Sequence, residues 1–353
     1  MTAPIAAVVV GATGYVGGEL LRLIADHPVF ELQAAVSSSR AGEPVAALYP
    51  GLAGVWSDRR FQSLDEALAG CPADARLALF SAAPHGASAG LVDALLGAAG
   101  SASLQAHAVD ASADFRFDSA AQFAEVYDTA HPAPDLLEQF TCAVPEHLQT
   151  WSTPHVGHPG CFATAMALAV VPLFDAELAE PDVFVTAVTG STGSGRSPGA
   201  GTHHPERHAN LYAYKALGHR HVPEVAGLVR AATGKSVELH FVPHSGPFAR
   251  GIYLTAQATL SPGASLADVR AAFESRYADA RFVRLRDAMP RLKDVVLSNR
   301  CDIGIAGRGR QVVITATLDN LVKGAAGGAI QWMNRLFDLP EHSGLSARSP
   351  AWI

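Results

Sequence analysis

One cysteine in this chain stands where a thiol can become a nucleophile. In the stretch HPGCFATAM, residues 158–166, Pro159 and Gly160 interrupt an extended segment, and Cys161 falls at the first turn of a helix beginning near Phe162. Unpaired backbone N–H groups and the helix dipole favour a thiolate at such a place, whereas a cysteine elsewhere is most often a small, inert core residue. A thiolate that forms an acyl intermediate needs a group that gives and takes protons, and histidine is the usual one. The chain has 15 histidines, among them His203, His204 and His208 of HHPERH and His219 and His221 of GHRHVPEV. In an extended conformation His219 and His221 would face the same way, an arrangement also used for metals. Glu224 is the nearest further ligand type and no cysteine or second carboxylate completes a recognisable spacing, so no metal site is expected.

Groups suited to anions are dense around these residues. The Ser/Gly-rich stretch TGSTGSGRSPGAG, with Ser194, Gly195 and Arg196, follows a predicted strand and offers backbone amides and a guanidinium. Arg116 in DASADFRF could clamp a carboxylate through two parallel hydrogen bonds, and PHSGPFARGI adds His244 and Arg250. Together they describe a site for a substrate carrying at least two anionic groups, with Arg116, Arg196, His221, Glu224 and Arg250 as candidate binding residues. A second constellation lies near the N-terminus, where GATGYVG follows an apolar run and precedes a helical pattern. Gly11 allows the tight turn, Gly14 lets the backbone approach a pyrophosphate and Gly17 permits close helix–strand packing, with Thr13, Tyr15 and Val16 filling the loop. At the end of the next strand the chain reads AVSSSR, so Ser37, Ser38, Ser39 and Arg40 stand where an Asp or Glu would select NAD. Hydroxyls and a guanidinium suit a 2′-phosphate, and NADP is the expected cofactor.

These residues need a scaffold, and its pattern is readable. Over the first 150 or so residues, apolar runs such as IAAVVV, ARLALFSAA and LQAHAVDAS alternate with helical stretches such as SAGLVDALLGAAG, as in a doubly wound parallel sheet. After HPGC come longer alternating segments, DVFVTAVTG, SVELHFVPH, GIYLTAQATL and RQVVITATLD, rich in Val, Ile and Thr. The fold expected is therefore α/β, a Rossmann-type nucleotide domain over residues 1–157 joined to an α+β catalytic domain with a mostly antiparallel sheet over residues 158–322. Residues 323–353 should supply a final helix, from about Ala325 to Phe337, that follows a Gly-rich hinge KGAAGG and packs back on the nucleotide domain.

Composition narrows the function classes. With 353 residues, 49% hydrophobic and 17% charged, the chain can bury a sizeable core. A formal charge of −7 without a Lys/Arg-rich block argues against nucleic acid and anionic membranes as partners. The apolar stretch FATAMALAVVPLF falls short of the roughly 20 residues a membrane span needs. No signal-peptide pattern opens the chain, and the four cysteines (Cys71, Cys142, Cys161, Cys301) are scattered, so a cytoplasmic protein with reduced thiols is expected.

The motifs VVVGATGYVGGELLRLI, DASADFRF, HPGCFATA, GSTGSGR, GHRHVPEV, PHSGPFARGI and KGAAGGAIQWMN occur in the order and approximate spacing of the N-acetyl-γ-glutamyl-phosphate reductases of arginine biosynthesis, which the chain resembles over nearly its whole length. HPGC and HRHVPE are the most specific of these. The resemblance implies a fold of the aspartate-semialdehyde dehydrogenase type, NADP as cofactor, a small acyl-phosphate substrate and a homo-oligomer, dimer or tetramer. It also implies Cys161 as the nucleophile that forms a thioester and His219 as the acid/base, although the residues by themselves leave His219 and His221 open for that role. The chain departs from the family pattern at His158, Phe162 and Ala163 (HPGCFAT for NPGCYPT) and at Cys142 (CAVPE for YGLPE). A related enzyme reduces a carrier-bound aminoadipyl phosphate, and its substrate would call for a basic docking patch, to which Arg196, Arg207, Lys215 and Arg220 could contribute. Aspartate-semialdehyde dehydrogenase is a second alternative, and an NADP-binding regulatory protein without turnover a third.

Overall fold

The computed structural model describes residues 3–351, which fall into two compact units. One unit runs up to Ala143 and takes in Thr150–His158 and Ala325–Ser346; the other is built from Val144–Gln149 and Pro159–Gly324, with the tail from Ala347. Val144–Gln149, inside the stretch expected of the nucleotide domain, thus goes with the second unit.

The first unit is a seven-stranded, wholly parallel sheet of β1 (Ile5–Val10), β2 (Phe30–Val36), β3 (Phe61–Gln62), β4 (Arg76–Ser81), β5 (Gln105–Asp110), β6 (Phe140–Cys142) and β7 (His155–Gly157), in the order β3-β2-β1-β4-β5-β7-β6. Its helices are α1 (Tyr15–Ala25), α2 (Val45–Leu48), α3 (Ser88–Ser101) and α4 (Ala120–Tyr127). Strands covered on both faces read as continuous apolar runs, which is why IAAVVV and RLALFS are buried along almost their entire length. The DASADFRF stretch closes the end of β5. Asp114 accepts the N–H groups of Gly86 and Ala89 at the start of α3, and Asp110 accepts the hydroxyls of Ser88 and Ser112, each at 2.7 Å.

The second unit is a mixed sheet of β8 (Ala179–Thr189), β9 (Tyr212–Ala213), β10 (Glu238–Ser245), β11 (Ile252–Leu260), β12 (Val283–Arg286), β13 (Cys301–Arg308) and β14 (Gln311–Leu318), ordered β12-β13-β14-β11-β8-β10-β9. Pairing is antiparallel except between β8 and β10 and between β12 and β13. One face is covered by α5 (Cys161–Asp175), which packs on β8, β11 and β14 and is flanked by α7 (His221–Thr233) and α8 (Leu266–Arg276); a short α6 (His204–Arg207) lies before β9. Strand alternation separates the faces: Val183, Val185 and Ala187 are buried while Phe184 between them is exposed. Every residue of α5 from Phe162 to Phe174 is buried, and the small side chains of ATAMALA let it lie close to the sheet.

KGAAGG, expected as a Gly-rich hinge, is buried throughout. Val322–Ala326 forms a π-helical turn that runs directly into α9 (Gly327–Leu336), and Lys323 within it is fully buried, its Nζ 2.5 Å from Oε1 of the equally buried Glu146. Such turns often mark functional sites. α9 belongs to the first unit, where it packs against α1 and β5 and its Trp332 donates its indole N–H to the Ala143 carbonyl at 2.8 Å. Among the described residues no helix is long and apolar enough to cross a membrane.

Candidate active site

Pro159 cannot continue a hydrogen-bonded strand, and Gly160 (φ −60°, ψ 155°) is the cap residue of α5, so the helix opens at Cys161 itself. Gly160 has no side chain to satisfy the first-turn amides, which leaves that end electropositive. The side chain that fixes this turn comes from another helix. Glu224, in the first turn of α7 and buried, accepts the Gly160 N–H through Oε1 at 2.6 Å. Its Oε2 lies 3.9 Å from Nε2 of His221. The two helices thus bring their N-termini together, with Cys161 half-buried at the head of one and His219–His221 leading into the other.

His219 and His221 are both buried and in ring contact, with centroids 4.7 Å apart. Phe162, the residue after the cysteine, meets both imidazoles edge-on, and Phe241 of β10 and Tyr214 close the cage around His219. The His221 backbone N–H donates to Nδ1 of His219 at 3.2 Å. Burial, followed by the charges of Arg220 and Lys215, lowers the His219 pKa to about 4. Tyr214 is not evident from the sequence. Burial first, then the charge at Cys161, pushes its phenol well above the usual tyrosine range, so it stays a protonated hydroxyl. Its only signal is the pair of tyrosines, Tyr212 and Tyr214, in the stretch LYAYKALG ahead of HRHVPE.

The other face of Cys161 is covered by the π-helical turn. Gly324 approaches so closely that a Cβ there would lie 2.7 Å from the Cys161 Cβ and 3.0 Å from its Cα. Asp319 anchors this turn by accepting the N–H groups of Leu321 and Val322 through Oδ1 and that of Leu297 through Oδ2. Arg250, a candidate substrate-binding residue, spans both oxygens of the same carboxylate at 3.0 and 3.3 Å. Next to it, Asn320 accepts the Gly251 N–H at 2.6 Å and donates to Thr192 Oγ1 at 3.0 Å, linking the turn to the loop of Ser194, Gly195 and Arg196. All three of those residues are exposed, and Gly195 takes φ +83°. His203, His204 and His208 are exposed, while Arg207 is buried and donates to Ser245 Oγ at 2.9 Å.

In the first unit, Arg116 donates Nε to the His158 carbonyl and Nη2 to that of Ala111, both at 3.1 Å, so it braces the start of HPGC. The glycine loop fits a dinucleotide. Gly11 has φ +71°, and a Cβ there would strike the Ala82 carbonyl oxygen at 2.5 Å; one on Gly17 would strike the Gly11 oxygen at 2.3 Å. Gly14 caps α1 without a side chain, no acidic residue occupies the first turn, and the amides of Tyr15, Val16 and Gly17 have no intrahelical acceptor. Thr13 is half-buried in the same loop, and the Tyr49 hydroxyl sits 3.0 Å from the Ala12 and Gly14 carbonyls. After β2, Ser37 and Ser39 place their hydroxyls 3.4 Å apart and no carboxylate ends the strand. Arg40 is exposed and ion-paired with Glu43 at 2.6 Å.

Two family models match the chain: a semialdehyde dehydrogenase NAD-binding domain over residues 6–152 and a semialdehyde dehydrogenase dimerisation domain over residues 161–320. A curated N-acetyl-gamma-glutamyl-phosphate reductase of Symbiobacterium thermophilum is 39% identical over 352 residues, covering 98% of each chain. Reductases of the same name from Pseudomonas putida and Pseudomonas aeruginosa are 39% and 38% identical over 346 residues, the former covering 96% of this chain and 97% of its own. Among solved structures, aspartate semialdehyde dehydrogenase II of Vibrio cholerae superposes with TM-score 0.69 at 14% identity, covering 96% of this chain and 99% of that one. The Candida albicans aspartate semialdehyde dehydrogenase with NADP does so with TM-score 0.65 at 16% identity, covering 94% and 98%. At such identities the likeness shows the fold alone.

Proposed function

The chain belongs to the N-acetyl-γ-glutamyl-phosphate reductases, and we propose that Cys161 is the nucleophile with which it carries out that family's reaction. It is an NADPH-dependent reductase of N-acetyl-γ-glutamyl phosphate, forming the semialdehyde and phosphate in arginine biosynthesis. The observation that carries the assignment of Cys161 is its place at the open N-terminus of α5, in a turn tied by the Glu224–Gly160 hydrogen bond and walled by Gly324.

The thiolate attacks the acyl carbon; the C–S bond forms, the C–O bond to phosphorus breaks, and phosphate leaves with the electron pair. A thioester suits the hydride step, because it stays electrophilic enough to be reduced where a carboxylate does not. NADPH, when bound, supplies the hydride. His219 attends the oxygen that becomes negative during that reduction, and His221 and Glu224, which adjoin it, serve as substrate-binding residues. Gly11, Thr13, Gly14, Tyr15, Val16 and Gly17 hold the pyrophosphate, Ser37, Ser39 and Arg40 the 2′-phosphate end, and Ser194 and Gly195 a further part of the cofactor. Arg116, Arg196 and Arg250 supply positive charge toward the substrate's anionic groups, Arg250 with its charge shared with Asp319.

The dimerisation-domain match and the exposed Phe184 of β8 support a homo-oligomer, dimer or tetramer, and the biosynthetic role of the reductases it resembles supports a cytoplasmic location. The test is the reverse reaction. NADP reduction by N-acetylglutamate semialdehyde must require inorganic phosphate and must disappear in Cys161→Ser; turnover without phosphate sinks the proposal. Running aspartate semialdehyde alongside separates this activity from that of the structural neighbours.

A further inference from the structure

We propose that His219 acts as a neutral imidazole, donating its Nε2–H to the substrate oxygen throughout the reaction, and does not deliver a proton as an imidazolium. This rests on the reaction assigned above and narrows what its histidine does. A backbone N–H can only donate, so the 3.2 Å bond from the His221 N–H fixes the Nδ1 of His219 as an acceptor. A neutral ring carries one N–H, which must then be at Nε2. To become an imidazolium the ring would have to take its second proton on Nδ1, where the lone pair is already aimed at a hydrogen, and that bond would be lost.

The surroundings press the same way. His219 is met by Phe162, Phe241, Tyr214 and His221, and the charged groups bearing on it are the cations Arg220 and Lys215. Glu224, the acidic residue of the adjoining helix turn, directs Oε1 to the Gly160 N–H and Oε2 toward His221. Burial and these cations lower the His219 pKa to about 4, which agrees with the geometry.

The chemistry needs nothing more than a donor. Attack by the thiolate expels phosphate without a proton from the protein. Hydride addition at the thioester carbon sends an electron pair to oxygen, giving an alkoxide; its collapse restores the C=O bond and breaks C–S, returning the thiolate. The departing phosphate takes its proton from water. A fixed N–H aimed at the oxygen therefore stabilises the developing charge as an oxyanion donor does, an effect worth about 10²–10³ in kcat when such a donor is removed.

The decisive measurement is nitrogen-15 NMR of the full-length protein labelled at histidine, with His219 assigned by its loss in His219→Gln. The expected result is a protonated Nε2 and an unprotonated Nδ1 that do not change between about pH 5 and pH 8. A titration within that window, or a proton on Nδ1, overturns the proposal. In parallel, the Gln side chain can place an amide N–H near the Nε2 position, so His219→Gln should keep at least about ten times the kcat of His219→Ala, with a pH profile parallel to the parent's. If the two variants are equally impaired, or if the parent profile shows an acidic group that His219→Gln removes, the donor role is wrong. Failure of the parent protein to reduce N-acetyl-γ-glutamyl phosphate would instead sink the assigned reaction and leave the NMR result standing.

Discussion

Replacing Gly324 by alanine tests whether the π-helical turn holds Cys161, the proposed nucleophile, in place. The added Cβ would sit 2.7 Å from the Cys161 Cβ and 3.0 Å from its Cα, whereas carbon atoms rest at about 3.5–4.0 Å. Something must therefore move by about 1 Å. The helix behind Cys161 has little room to yield, since its residues from Phe162 to Phe174 are buried. The turn is no freer: the Gly324 N–H is bound to the Asp319 carbonyl at 3.0 Å and Lys323 is tied to Glu146. Overpacking of this kind costs about 1–3 kcal/mol of stability, and a displacement near 1 Å at a reacting group costs about 10² in rate. Gly324→Ala should then lower kcat for the acyl-phosphate reduction about 10²-fold at a temperature where the variant is still fully folded. Gly227→Ala is the matched control. Gly227 lies on the exposed side of α7 with nothing near its missing Cβ, so that change should add about 1 kcal/mol through helix propensity and leave kcat alone. Steady-state kinetics and urea unfolding on the two variants decide the matter. A Gly324→Ala enzyme that is folded and within a few-fold of the parent would refute the idea that this contact sets the position of Cys161.

Cys161→Ser should abolish reduction while NADP binding, followed by fluorescence titration, stays at the parent value, because the glycine loop belongs to the other unit. Lys323→Met leaves the Glu146 carboxylate buried without its cation and should cost about 3–5 kcal/mol in urea unfolding; the double variant Lys323→Met/Glu146→Leu should recover much of that loss, and no recovery would mean the pair is not a unit. The unfolding free energy should fall as pH is lowered from about 6.5 toward about 4. His27, His155 and His219 have pKa values lowered to about 4 and His147 to about 3, in each case chiefly by burial, so over this window the unfolded chain binds protons that the folded one refuses. Each contributes a slope of up to about 1.4 kcal/mol per pH unit, fully developed as stability above pH 6.5. Asp110, whose burial raises its carboxyl pKa, works in the opposite sense at the acid end, and a flat pH–stability curve would contradict the histidine burial.

Local pattern controls the part of the molecule that is legible in the sequence. Apolar runs with helical stretches between them are enough to specify parallel strands covered on both faces, and a Pro-Gly pair before small apolar residues is enough to put Cys161 at a helix start. The rest depends on residues far apart in the chain. Glu224 reads as a binding group, but its bond to the Gly160 amide crosses between two helices and has no local signature. Arg250 reads as a substrate-binding residue until its bonds to both oxygens of Asp319, 69 residues on, are seen. KGAAGG has the composition of a flexible hinge, yet a lysine and several glycines are also what a tight buried turn needs when its cation has a carboxylate waiting in the segment Val144–Gln149.

The same distinction explains why the choice between the two histidines needs the backbone. His219 and His221 are two residues apart with identical side chains, and nothing in composition ranks one above the other. The start of α7 breaks the tie: because the chain turns into a helix at His221, the His221 amide points back at the His219 ring. One imidazole is thereby committed as an acceptor at Nδ1 and a donor at Nε2, while the other faces Glu224. A single backbone hydrogen bond thus assigns different chemistry to two like residues. Shortening or extending the loop between Tyr214 and Arg220 by one residue should blur that assignment, making the His219 ring signal titrate in the same NMR experiment even if the protein remains folded.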